Sequence, residues 1–195
     1  MAFVWGVVGV SLVAPLAVLA YWVVRGVHAG EPLDVLWTAG RNSLYVSVLA
    51  AVVAALAAVP IAVLAVRHPS FLSTTVERLT YVGFALPGIA VALAFVFFAS
   101  AYLLPIYQTI FLLLAAYLVL FLPAAVGATA ASLRQVNPRL EEAARGLGRT
   151  PWGAFTSVTL PMLSRGAAAG AVLVFLLTMK ELPATLILSP IGFKT

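Results

Sequence analysis

Cysteine does not occur among the 195 residues of this chain, which excludes disulfides, thiolate nucleophiles and cysteine-ligated metals and says nothing about compartment. Charge is scarce as well. Asp, Glu, Lys and Arg make up 9% of the residues, against about 25% in an ordinary soluble domain. With 64% hydrophobic residues and a mean hydropathy of +1.12, the solvent for most of the chain is lipid. The net charge of +5 comes from arginines dispersed at the ends of apolar runs. That is the bias of membrane loops, and it argues against nucleic acid as a partner. No Gly-x-x-x-x-Gly-Lys-Ser/Thr phosphate loop is present, so the chain is not itself an ATPase.

What the chain has in quantity is uncharged length. Runs of roughly 20 apolar residues cross a bilayer as helices, because a helix satisfies its own backbone there. Phe3–Val24, Ser43–Val66, Leu79–Leu104 and Ile106–Ala131 qualify, and Gly166–Leu188 qualifies apart from Lys180 and Glu181. The first run lacks a preceding basic residue and a good cleavage site, so it reads as a retained span rather than a signal peptide. Only Pro105 separates the third and fourth, which predicts a tight, uncharged hairpin. Lysine and arginine counts predict the orientation: Arg67, Arg78 and the basic residues of 132–165 fall inside, with Arg25, Arg41, Lys180 and Lys194 outside. Glu31, Asp34 and Glu181 partly offset the outer set. The N-terminus is then cytoplasmic and Thr195 is not. His28 and His68 fall on opposite sides, which leaves no catalytic constellation for a membrane-embedded enzyme.

A polar island from Ser132 to Arg165 interrupts the apolar chain, carrying Arg134, Arg139, Glu141, Glu142, Arg145, Arg149 and Arg165. Asn137-Pro138 has the residues of a helix start, a capping side chain followed by a residue that lacks a needed N–H. Arg139 to Arg145 are good helix formers, with acids early and Arg145 late, as the helix dipole favours. Gly146-Leu147-Gly148 ends that helix. Thr150-Pro151 opens a second one, running through Trp152 and Phe155 towards Leu160-Pro161. The product is a helix-turn-helix elbow. Its small residues Ala143, Ala144, Gly146 and Gly148 would let another protein approach closely. An amphipathic helix resting on anionic lipid accounts for the arginines, but not for paired glutamates followed by a glycine elbow. The residues alone leave both readings open.

Glu142-Ala143-Ala144, then Gly148, Val158 and Leu160-Pro161, resembles the EAA loop of permease subunits of bacterial binding-protein-dependent ABC importers, matched without a gap. Val158 stands where that pattern has isoleucine. Asn42-Ser43-Leu44 and Leu86-Pro87-Gly88 are further habits of the family, and the resemblance runs from Arg41 to Thr195. It implies an all-α, polytopic, MetI-like bundle of about five spans. Residues 1–40 would be a leading helix and outer loop, and 41–195 the transport domain with its coupling loop at 132–165. Glu142, Ala143, Ala144 and Gly148 would form the contact core for a separate ATP-binding subunit, flanked by Glu141 and Arg145, with Leu160 and Pro161 closing the motif. The chain would bind no cofactor of its own, since the partner ATPase dimer uses the ATP. Its other partners would be a second permease half, an extracytoplasmic solute-binding protein and the lipid of a bacterial or archaeal cytoplasmic membrane. The family's last span and second half are not in this sequence, so it reads as an incomplete C-terminal half.

Lys180 and Glu181 lie about 21 Å along a helix counted from Gly166. Charges inside a membrane point to function; snorkelling or mutual neutralisation, helped by a helix break at Pro183, is the plainer account. Pro87-Gly88 likewise reads as an ordinary membrane-helix kink or as a hinge in a helix lining the translocation pathway. The segment Lys180-Glu181-Leu182-Pro183-Ala184-Thr185-Leu186 through Gly192-Phe193 resembles ferric-iron importer permeases of the Fbp/Sfu type. That resemblance implies iron as cargo, with Glu181 a hard oxygen group and at most a transient metal contact. Other cargoes in this family include molybdate, sulfate, polyamine and thiamine. The competing class is a secondary transporter or channel in which Lys180-Glu181 couples ions directly.

Overall fold

The computed structural model describes residues 1–30 and 33–193, and all regular structure among them is helical. Glu31 and Lys194, used in the charge count, and Thr195 lie outside the described residues. Among the described residues four helices are long and apolar enough to cross a membrane, or five if one bent pair is a single span. This is the all-α, polytopic architecture that the composition requires.

The chain divides into two compact units, Met1–Gly40 and Arg41–Thr195. In the first, α1 (Ala2–His28) is one uninterrupted helix with Pro15 inside it. Phe3, Trp5, Leu12, Leu16, Leu19 and Trp22 are all exposed, so the helix is apolar all round, as suits lipid. α2 (Leu33–Arg67) begins within this unit and ends in the second.

In the second unit α5 (Ile110–Arg134) is the central post, burying Leu112, Leu113, Tyr117, Leu120, Val126 and Leu133 among others. α8 (Leu160–Met179) packs along it. The sequence allows this closeness through Gly166-x-x-x-Gly170, the small-residue spacing that brings membrane helices together. A β-carbon at 170 would lie 2.9 Å from the Cα of Ala125, and one at 166 would lie 2.9 Å from the Ala128 carbonyl oxygen. On α2, Ala50, Ala54, Ala58 and Ala62 recur every fourth residue and are at most 1% exposed, a second smooth face. Near the end of α2, Val59, Val63 and Val66 pack on a smaller core of Leu133, Val136 and Leu163.

Three boundaries differ from those the apolar runs predict. Leu79–Leu104 is not one straight element. α3 (Phe71–Val82) continues as a 3-10 turn to Ala85, and α4 (Gly88–Tyr102) leaves at an angle of 108°. Pro87 explains the break: it holds an extended ψ of 134° and keeps Leu86 extended, so the helix must restart at Gly88. The hairpin at Pro105 is longer than one residue, with a 3-10 turn Leu104–Ile106 and Gln108 at φ 55° before α5 begins. The fifth run starts earlier and stops sooner than expected. α8 ends at Met179, and α9 (Pro183–Leu188) is a separate short helix packed against α4. Lys180 and Glu181 therefore stand in the break, not inside a continuous span.

Candidate functional site

The elbow is built by local chemistry. α6 (Pro138–Gly146) starts where the Asn137 side chain accepts from the Arg139 N–H at 3.0 Å. Gly148 has φ +86°, a left-handed turn that a β-carbon would strain. α7 (Pro151–Ala154) starts where Thr150 accepts from the Gly153 N–H at 3.1 Å. The second helix does not stop at Leu160-Pro161, as the proline suggests. A π-helical turn, Phe155–Thr159, carries it directly into α8. The wider turn accommodates a residue that cannot donate to the preceding ladder, so Pro161 is absorbed without a break.

Within the EAA-like segment the structure separates what faces out from what faces in. Glu142, Ala143, Arg145 and Gly148 are exposed, whereas Ala144 is 8% exposed and packs inward. Ala144 is thus a spacer beneath the surface and not part of a free contact face, because α6 needs one small residue to lie close against its neighbours. Glu141 is half-buried and also turned inward: Thr159 donates a hydrogen bond to its Oε1, and Arg67 Nη2 lies 3.8 Å from the same oxygen. These groups line a cavity of ≈ 510 Å³ with His68, Glu142, Arg145, Pro151 and Phe155. Leu160 and Pro161 are exposed at the start of α8.

Sequence reasoning passes over two sets of residues here. Arg67 looks like any arginine at the end of an apolar run, and Thr159 like an ordinary helix residue. Leu147 and Trp152 are the other pair, 87% and 71% exposed at the tip of the elbow. Trp152 stacks on Phe155 with ring centres 5.6 Å apart, which stiffens it. Large apolar groups held in an otherwise polar segment are the available signal.

At the break after α8 the predicted pathway residues are partly brought together. The Glu181 carboxylate accepts from the Ala184 N–H, in the first turn of α9, at 3.2 Å. It also lies beside Gly88, the first residue of α4. Lys180 is exposed, and among the described residues no ion pair joins it to Glu181. The two residues do not neutralise one another in this arrangement. Glu181 and Lys180 border a cavity of ≈ 220 Å³ with the hydroxyls of Ser43, Ser47, Tyr117, Thr178 and Thr185. Tyr117 and Thr185 hydrogen-bond at 2.5 Å, both buried. Among the described residues no three His, Asp or Glu side chains converge as a metal cage would require.

Residues 48–193 match the family described as "Binding-protein-dependent transport system inner membrane component". The chain is 39% identical over 188 residues to the Fe(3+)-transport system permease protein FbpB 2 of Haemophilus influenzae, covering 95% of this chain and 37% of that protein. It is 30% identical over 149 residues to the molybdate/tungstate transport system permease protein WtpB of Thermococcus kodakarensis, covering 76% of this chain and 59% of that one. A putative 2-aminoethylphosphonate transport system permease protein of Salmonella typhimurium is 30% identical over 59% of the chain and 43% of its own length. The chain therefore spans less than two thirds of each of these relatives.

Proposed function

We propose, for a chain that belongs to the family of binding-protein-dependent transport system inner membrane components, that it forms part of the solute pathway of an ABC importer. In this reading the elbow couples it to a separate ATPase. The observation that carries it is the exposed surface of the elbow, where Glu142 and Ala143 on a short, capped helix are followed by the protruding Leu147 and by Gly148 in the turn after it. Leu147 and Trp152 supply apolar anchors of the kind that dominate protein interfaces, and Glu142 and Arg145 the polar rim. The ATPase binds and hydrolyses ATP, and this chain holds no cofactor. The excess of arginine puts residues 132–165 and the N-terminus in the cytoplasm. A second permease half and an extracytoplasmic binding protein complete the assembly, and closure of the ATPase dimer rocks the spans between inward- and outward-facing states.

Ferric iron is the proposed cargo. Its support is the 39% identity, over nearly the whole chain, to a permease named for Fe(3+), together with a carboxylate and several hydroxyls at the broken helix. Glu181, Lys180, Pro87 and Gly88 belong to the pathway wall, and contact of Glu181 with the metal is transient. Molybdate is the second reading, favoured by the relative named for molybdate and tungstate.

The test is uptake and ATP hydrolysis in proteoliposomes holding the full-length permease and its ATPase. Binding protein loaded with ferric iron should stimulate both. Stimulation by molybdate-loaded protein alone would move the cargo to the second reading. Uptake driven by an ion gradient without ATP would overturn the importer assignment in favour of a transporter using Lys180 and Glu181.

A further inference from the structure

We infer that Arg67, the last residue of α2, is a positioning residue through which the elbow moves that helix. The inference rests on the reading of the elbow as the ATPase contact. Three segments remote in sequence meet at one atom. Glu141 Oε1, on α6, accepts from Thr159 Oγ1 at the end of the π-helical turn, and Arg67 Nη2 lies 3.8 Å away. The same Nη2 donates to the Val136 carbonyl at 3.1 Å, in the link between α5 and α6. Thr159 and Val136 are at most 3% exposed, and the side chains of Arg67 and Glu141 are 15% and 29% exposed. Shielding of this degree makes the attraction stronger and less salt-sensitive than that of a surface pair.

The elbow continues directly into α5 on one side and α8 on the other, so its movement reaches both through the backbone. α2 has no such continuity and reaches the elbow through side chains. Val59, Val63 and Val66 supply apolar packing against Leu133, Val136 and Leu163, but burial is non-directional and by itself lets helices slide. A charged group held to a carboxylate and a carbonyl at once fixes the register. Arg67 keeps this position although its Nε is buried without a partner, a cost that apolar packing alone would have no reason to retain. Without the guanidinium, Thr159 and Glu141 still hold each other, so the elbow stays built while its grip on α2 is lost.

The experiment compares R67M and R67K in the full-length permease with its ATPase and binding protein, reconstituted in proteoliposomes. R67M should co-purify the ATPase at wild-type stoichiometry and keep basal ATP hydrolysis. Stimulation by ferric-loaded binding protein, and uptake, should fall about tenfold, within the usual range of coupling between sites. R67K keeps a cationic donor and should retain most of the uptake. Wild-type uptake in R67M would overturn the inference. If R67M does not insert, R67K decides: uptake kept supports the role, uptake lost removes it. A wild-type permease that fails to hold the ATPase counts against the docking reading instead, whatever stands at position 67.

Discussion

Gly88 and Glu181 occupy adjoining space: the carboxyl carbon of Glu181 lies 3.1 Å from where a β-carbon on residue 88 would sit. The first residue of α4 and the break after α8 are thus fitted to each other, although 93 positions apart in the numbering. Substituting Gly88→Ala should push the carboxylate off α9, at a cost of about 1–3 kcal/mol for overpacking. Uptake should fall while membrane insertion persists, and G88A combined with Glu181→Ser should recover thermal stability in detergent. Equal melting temperatures for wild type and G88A would show that the carboxylate moves aside freely.

The α5–α8 seam depends on a missing side chain at 170. Gly170→Leu should separate the helices, because Ala125 lies 2.9 Å from any added β-carbon. The expected cost exceeds that of G88A, since backbone stands in the way and not the end of a flexible side chain. A fall of several degrees in melting temperature, with loss of folded monodisperse protein, is the readout. Gly146→Ala serves as control, since a β-carbon there meets nothing within 4 Å.

Leu147 is 87% exposed and contributes little to the fold. Leu147→Asp should leave expression and melting temperature unchanged and weaken ATPase co-purification by about 30-fold, the size of one interface hot spot at 2 kcal/mol. Trp152→Ala should act in the same direction. Full retention of the ATPase in both variants would remove the elbow tip from the contact.

Tyr117 and Thr185 join the middle of α5 to α9 through one buried hydrogen bond. Tyr117→Phe should cost about 0.6 kcal/mol, the average for such bonds between membrane helices. Thr185→Val should cost a similar amount, and the double variant less than their sum. Strict additivity in a thermal-melt cycle would show that the two hydroxyls do not act together.

Much of this architecture is legible in the sequence because its causes are local. Asn137-Pro138 and Thr150-Pro151 carry the cap and the proline within two residues of each other, and Gly148 supplies the turn between them. The reading fails where the deciding partner is far away. Composition from Leu79 to Leu104 is equally apolar whether the helix runs straight or turns by 108°, so Pro87 looks like a kink and not a corner. Helical phase distinguishes Glu141 from Glu142, but which of them faces inward is decided by Arg67 and Thr159, neither of which adjoins them in sequence. Ala144 looks like a contact residue because small residues serve both close docking and close packing.

The π-helical turn at Phe155–Thr159 gives the elbow an azimuth as well as a connection. Each residue added to or removed from a helix rotates everything beyond it by about 100°. The direction in which Trp152 points around the axis of α8 is therefore set by a residue count along one continuous helix. A single deletion in that turn would leave every contact residue in place chemically and aim them at a different quarter of the compass.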